Sequence, residues 1–195
     1  LHTLSVNFLA LRIDSLQKEI PDLHTRVVSD SLSTCCELLV EGAVDIMLCY
    51  YHTSVSPRID ETACVCKDVF TDWWTPVAAP EMAPGWDLTN ITSPPIPYLS
   101  YEPSSFLGVV VDNMLEGRVL NTETIYIDGL VETIKRRVLK GSGFAWMPQT
   151  AVAGELASGR LVQIGGESWT ARLTIAALAD PAGFDPVARE VWDRL

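Results

Sequence analysis

The sequence predicts an α/β protein of two Rossmann-like lobes joined by two crossover strands, and three observations predict it. Extended and helical patterns alternate along most of the 195 residues, the order that builds layered strand–helix units. Seven of the twelve prolines fall between Pro76 and Pro103, where little regular structure can persist. After that interruption the alternation resumes, and the apolar run ARLTIAALAD at 171–180 reads as a strand returning to the first lobe. Lobe I is therefore expected to comprise residues 1–74 with 170–195, and lobe II residues 75–169.

The elements follow in order. HTLS at 2–5 reads as the tail of a strand. Over 5–20, Leu9, Ile13, Leu16 and Ile20 recur at spacings of four, three and four, one apolar helical stripe that Pro21 ends. LHTRVVS at 23–29 alternates and turns β-branched, a strand pattern. A helix opens on the cap candidates Ser29, Asp30 and Ser31 and closes on Gly42. AVDIMLCYY at 43–51 is the unbroken apolar run of a strand buried on both faces of a parallel sheet. Two successive extended runs occupy 63–80. In lobe II, PYLSY, TETIYI and GFAWM are strands, and the helices begin near Ser104, Asp128 and Pro148. RLVQI adds a short strand at 160–164, and DPVAREVWDRL is a closing helix.

Composition narrows the function. The net charge of −11 opposes a phosphate backbone, so these residues are not expected to grip nucleic acid. No window approaches the roughly 20 apolar residues that span a bilayer, and no export signal opens the chain, so a cytoplasmic protein is expected. Cys35, Cys36, Cys49, Cys64 and Cys66 are odd in number and lie in apolar surroundings, which fits reduced thiols rather than a disulfide framework. His2, His24 and His52 are scattered, and no spaced Cys-x-x-Cys pairs accompany them, so no metal is expected. No phosphate-cradling, nucleophile-elbow or zinc-protease motif occurs, so no cofactor and no catalytic residue are expected.

The chemistry lies at helix starts. Four are expected to follow strands: at Thr3, Leu4 and Ser5; at Ser31 and Ser33; at Ser104 and Ser105; and at Asp128 with Gly129. Unpaired N–H groups and the positive dipole end draw anions there, and hydroxyls can donate without bringing full charge. In open α/β lobes such turns line the crevice at the strand carboxyl ends. Each hydroxyl has a second reading, as the cap of its own helix, worth about 1 kcal/mol. Asp128 at such a turn disfavours a second carboxylate on the ligand. Cys35 and Cys36 open a helical stretch, where a thiolate is stabilised, while Cys64 and Cys66 share one face of a strand.

Read together, HTLS, EIPDLHTRVV, ELLVEGAVDIML, PYLSYEPSSFLG, IDGLVETIKRRVLKGSGFAWMPQTAV, SGRLVQI and DPVAREVWDRL, in this order, resemble the effector-binding domain of LysR-type transcriptional regulators. The resemblance covers essentially the whole chain, and LLVEGAVDIML and VLKGSGFAWMPQTAV are its most specific blocks. It implies a periplasmic-binding-protein type II-like clamshell, a small, anionic effector between the lobes, and a homodimer or tetramer. It also implies that DNA is bound only through an N-terminal winged helix-turn-helix, which these residues do not include. The strand after Gly143 would end at the cleft, with Phe144, Trp146 and Met147 near the ligand or hinge and Tyr101 and Phe106 as an aromatic wall. PYLSYEPSSFLG, GFAWMPQTAV and DPVAREVWDRL look most like the hypochlorite-responsive branch, which is linked to methionine oxidation. Leu107 stands where that branch leads one to expect a methionine before the glycine of SSFLG. Oxidant sensing by Met or Cys, and solute binding for transport, are the alternative readings.

Overall fold

A computed structural model describes residues 2–52 and 64–195. The chain divides into two compact units, one of Leu1–Thr71 with Leu173–Leu195 and one of Asp72–Arg172. The sequence reading had put those boundaries at 74/75 and 169/170. The chain passes from one unit to the other within strand β2 (Val65–Ala78) and returns within β7 (Ala171–Ala179).

The first unit opens with an unbroken helical run: α1 (His2–Leu4), the π-helical Ser5–Leu9, and α2 (Ala10–Glu19). Thr3 and Leu4 are buried in it, so the expected strand tail at 2–5 is helix instead. A helix saturates its backbone internally, whereas a strand needs a partner, and no described strand pairs here. Leu16, Ile20 and Leu23 are buried together, with Val191 and Leu195 packed against them. Val191 comes from α7 (Pro186–Arg194), which starts with Pro186 in its first turn and with the Asp185 carboxylate accepting from Ala188 N–H at 2.7 Å.

The expected strand at 23–29 is also corrected. Residues 23–31 carry no regular structure, and Val27 and Val28 are exposed. Leu23 to Val28 and Ile46 to Leu48 all line one cavity of about 470 Å3, so open space rather than a ladder lies along the segment. Beyond it α3 (Leu32–Val40) packs Cys36 and Leu39 against Met47 and Cys49 of β1 (Ile46–Tyr51). β1 was expected in a parallel sheet, but it pairs antiparallel with β7, from Ile46 opposite Ala179 to Tyr51 opposite Thr174. An apolar run records burial and not strand direction, and β7 supplies the small residues Ala176, Ala177 and Ala179 against it.

In the second unit, the two extended runs expected at 63–80 prove to be one strand of 14 residues. It pairs with β5 (Ala145–Pro148) and β6 (Val162–Gln163), and Pro76 inside it lies opposite Trp146 while its carbonyl accepts from Ile164 N–H at 3.0 Å. β3 (Ile96–Tyr101) and β4 (Thr122–Asp128) form a separate parallel pair. Helix α4 (Phe106–Leu115) lays Phe106, Leu107, Val110 and Val111 inward, and α5 (Val131–Val138) lays Val131, Ile134 and Val138 inward. Each such burial is worth about 1.5–3 kcal/mol. α6 (Gln149–Ala157) follows directly from β5.

Gly143 explains the Gly-x-Gly before the short strand. Its φ is +153°, and a Cβ there would lie 2.5 Å from the Pro97 carbonyl oxygen. That approach lets Phe144 N–H donate to Pro97 O at 3.0 Å and Leu99 N–H donate to Phe144 O at 2.9 Å. Asp72, 1% exposed, ties the start of α6 to β2: Thr150 donates to it through Oγ1 at 2.6 Å and through N–H at 3.2 Å. Its Oδ1 also accepts from Trp73 N–H at 2.8 Å.

Two outcomes follow for urea denaturation. Gly143→Ala should destabilise the chain by more than about 1 kcal/mol, because both the positive φ and the close carbonyl reject a side chain. Asp72→Ala should cost about 1–3 kcal/mol by removing the acceptor of the half-buried Thr150 donors. An unchanged midpoint in either variant contradicts the corresponding contact.

Candidate functional site

The carboxyl ends of β3 and β4 lie side by side, Tyr101 opposite Asp128. Parallel pairing brings the two following turns together, and Glu102 N–H donates across to Asp128 O at 3.2 Å. The first turn leads through Ser104 and Ser105 to α4. Ser105 is its cap, accepting from Gly108 N–H at 3.0 Å, and the half-buried hydroxyl keeps its own proton to donate. Gly108 is required there, since a Cβ would overlap the Glu102 carbonyl. Ser104 is exposed beside it.

The second turn is organised by Asp128. Its Oδ1 accepts from Leu130 N–H at 2.9 Å, and its Oδ2 accepts from the Tyr126 hydroxyl at 2.6 Å. That hydrogen bond is the first cause that raises the Tyr126 pKa. The carboxylate is thus engaged before any ligand arrives, and a negative charge remains beside the α4 cap.

The aromatic and strand residues take a different place. The Tyr101 ring is buried and its hydroxyl donates to Trp146 O at 2.8 Å, and it packs on Trp74 at 5.4 Å between centroids. Phe144, Trp146 and Met147 are all fully enclosed. Phe144 stacks on Tyr98 at 5.2 Å, and Trp146 meets both rings edge-on. Burial pushes the Tyr98 phenol up to about 12, so it stays neutral. Phe106 is buried under α4.

One polar group among these side chains stands out. Thr75 is fully buried opposite Met147, and its Oγ1 finds no hydrogen-bond partner among the described residues. An unpaired buried hydroxyl costs roughly 1–3 kcal/mol. Trp74 Nε1, one residue earlier, is in the same condition. The sequence reading passed over Thr75 and Asp72. Their signal was a Thr and an Asp inside an otherwise aromatic and apolar run.

In the first unit the expected residues separate. Ser31 caps α3, accepting from Thr34 N–H at 3.2 Å, and its hydroxyl also meets those of Ser33 and Thr34. Ser31 and Ser33 are exposed. Ser5 pairs its hydroxyl with that of Ser29, and with Leu4 it lines the cavity already described. Thr3 is buried and its carbonyl accepts from Asn7 at 3.2 Å. The expectation that the four helix starts follow strands holds for α4 and α5. It fails for α3, which follows an unpaired segment, and for the first helix, where 2–5 is itself helical. Among the described residues no group of three or more His, Cys, Asp or Glu could hold a metal.

Against known proteins, the sequence profile of the LysR substrate binding domain matches residues 1–195. The HTH-type transcriptional regulator YjiE of Escherichia coli K12 is 25% identical over the whole chain, which spans 62% of that protein. The HTH domain-truncated transcriptional regulator QseD of Escherichia coli O157:H7 is 24% identical, with 77% of its length covered. Among solved structures, VV2_1132, a LysR family transcriptional regulator, superposes with a TM-score of 0.84 at 24% identity, over 99% of this chain and 64% of that one. The regulatory domain of HypT from Salmonella typhimurium gives 0.80 at 22% identity, over 99% and 89%. With its whole length matched, the chain belongs to the LysR substrate-binding-domain family and has that family's periplasmic-binding-protein type II-like α/β fold.

Proposed function

We propose that this chain is the ligand-sensing part of a cytoplasmic LysR-type transcription regulator, working as a homodimer and reaching DNA only through an N-terminal helix-turn-helix domain. The effector is a small anion that also carries a hydrogen-bond donor. The observation that carries this reading is the joined pair of turns at Ser105 and Asp128. One turn offers a hydroxyl proton and the first turn of a ten-residue helix; the other offers a carboxylate already held by Tyr126 and Leu130. An anionic group suits the first, and a donor on the same ligand suits the second. A second strong anionic group is disfavoured. Thr75 Oγ1, unpartnered among the described residues, supplies a further place for a ligand atom. Among the described residues no helix is long and apolar enough to cross a membrane.

Direct oxidant sensing by methionine is the second reading, since a structural relative is described as a hypochlorite-specific LysR-type regulator. Burial bears against it at Met147 and Met47, which are 0% and 4% exposed. Met82 and Met114 are the half-buried ones and would oxidise first.

Thermal melting against sulfate, dicarboxylates, aromatic acids and hydroxy acids tests the main reading. A true effector at a hundred times its Kd adds about 2.7 kcal/mol. Ser105→Ala should lower the unliganded stability by about 1 kcal/mol and abolish that shift. Thr75→Val should leave the unliganded midpoint equal or higher, because it removes an unpaired hydroxyl, and should weaken the shift at least several-fold. An effector shift that survives unchanged in both variants overturns the assignment.

A further inference from the structure

The five cysteines come from three separate stretches of sequence, yet Cys35, Cys36, Cys49 and Cys64 gather in one corner of the first unit. Cys36 on α3 and Cys49 on β1 are buried in one apolar cluster with Leu39, Met47, Ala176 and Leu178. Cys35 and Cys64, both half-buried, pack against that cluster. Cys66 is exposed two residues farther along β2. Burial first, and then the neighbouring Cys35 and Cys64 thiols, raise the Cys36 pKa. Burial, followed by Cys66 and Cys36, pushes Cys49 up to about 12. Packing sets the pairing: Cys64 lies against the cluster that holds both Cys36 and Cys49.

We propose that Cys64 and Cys36 are a dithiol closed by peroxides, a modification site whose disulfide ties the start of β2 to α3. Exposure assigns the roles. Cys64 meets solvent and can be reached by oxidant, whereas Cys36 is buried and reacts only with a group already delivered beside it. The Cys64 thiolate attacks one oxygen of the peroxide and the O–O bond breaks. The departing oxygen leaves as water after taking up a proton, and Cys64 becomes a sulfenic acid. The Cys36 sulfur, losing its proton, then attacks the sulfenic sulfur. The S–S bond forms as the S–O bond breaks, and a second water leaves. Two thiols have given up two electrons, and one peroxide has become two waters.

Other pairings are less suited. Cys35 is adjacent to Cys36 in the helix and cannot easily reach the bridging geometry. Cys49 sits in the β1–β7 ladder opposite Ala176, more deeply buried than Cys36. The inference rests neither on the anion reading nor on the capping turns, and no substitution at Ser105 or Thr75 bears on it.

The experiment treats the intact chain with graded hydrogen peroxide, blocks remaining thiols, and digests it without reduction for mass spectrometry. The expected result is a single intrachain link between the Cys36 and Cys64 peptides, about 2 Da lighter than their sum, reversed by dithiothreitol. Cys64→Ser and Cys36→Ser should each abolish the link, while Cys66→Ser should preserve it. The unsubstituted chain already reads out the pairing, so the inference does not depend on the folding of the buried variant. A link through Cys49, a link between two chains, or five thiols left titratable by peroxide would each overturn it.

Discussion

Gly143 approaches the Pro97 carbonyl so closely that only a residue without a side chain fits there, and much of the second unit depends on that approach. It sets Phe144 beside β3, exchanging hydrogen bonds with Pro97 and Leu99, so the ring lands on Tyr98 and against Trp146. The same strand, two residues on, pairs Trp146 with Pro76 and Met147 with Thr75. A four-residue strand thereby joins β3 on one side to β2 on the other. Its shortness is a consequence: Pro148 must end it so that α6 can begin against Asp72.

Buried polar groups then divide into two kinds. Asp72 and the Tyr101 hydroxyl are spent on structure, the first capping α6 from outside the helix and the second holding the Trp146 carbonyl. Thr75 Oγ1 and Trp74 Nε1 have no such use among the described residues. Satisfied networks rigidify, while unsatisfied donors in a tight interior are costly and persist mainly where something else completes them. This contrast falls within residues 72–75 of β2 and Tyr101, packed on Trp74. Of the hydroxyls at helix starts, Ser31 and Ser105 are occupied as caps.

What was legible in the sequence follows from which forces are local. Helices α4 and α5 and the strands before them were readable because their apolar spacing and cap residues lie within a dozen positions. The Ser105 and Asp128 turns followed from them. Strand tails and edges were not readable, because pairing is a property of the neighbour. HTLS became helix, LHTRVVS found a cavity instead of a partner, and AVDIMLCYY paired antiparallel where an apolar run had suggested parallel. The surroundings of the aromatic residues were not readable for a related reason. Tyr101, Phe144 and Met147 carry the same letters whether they face a ligand or a core, and only long-range packing shows them enclosed. The cysteine convergence was invisible for the same cause, with Cys36 and Cys64 far apart in sequence.

Helix α3 carries both a cap and two thiols. Its first turn is capped by Ser31, whose hydroxyl also engages Ser33 and Thr34, and its second turn carries Cys35 and Cys36. A covalent tie at Cys36 would act on this nine-residue helix, whereas a ligand at the Ser105 and Asp128 turns would act in the other unit. The two differ in energetic reach. A ligand changes a balance of conformations only by the difference in its affinity for them, and a tight ligand with equal affinities changes nothing. A disulfide forbids every arrangement in which its sulfurs are apart, and so needs no such difference. The segment preceding α3 has no ladder to hold it, and Val27 and Val28 on it are exposed. Helix α3 is thus anchored by side-chain packing at Cys36 and Leu39 rather than by strand pairing at its start. Chemistry at Cys36 acts on that anchor directly.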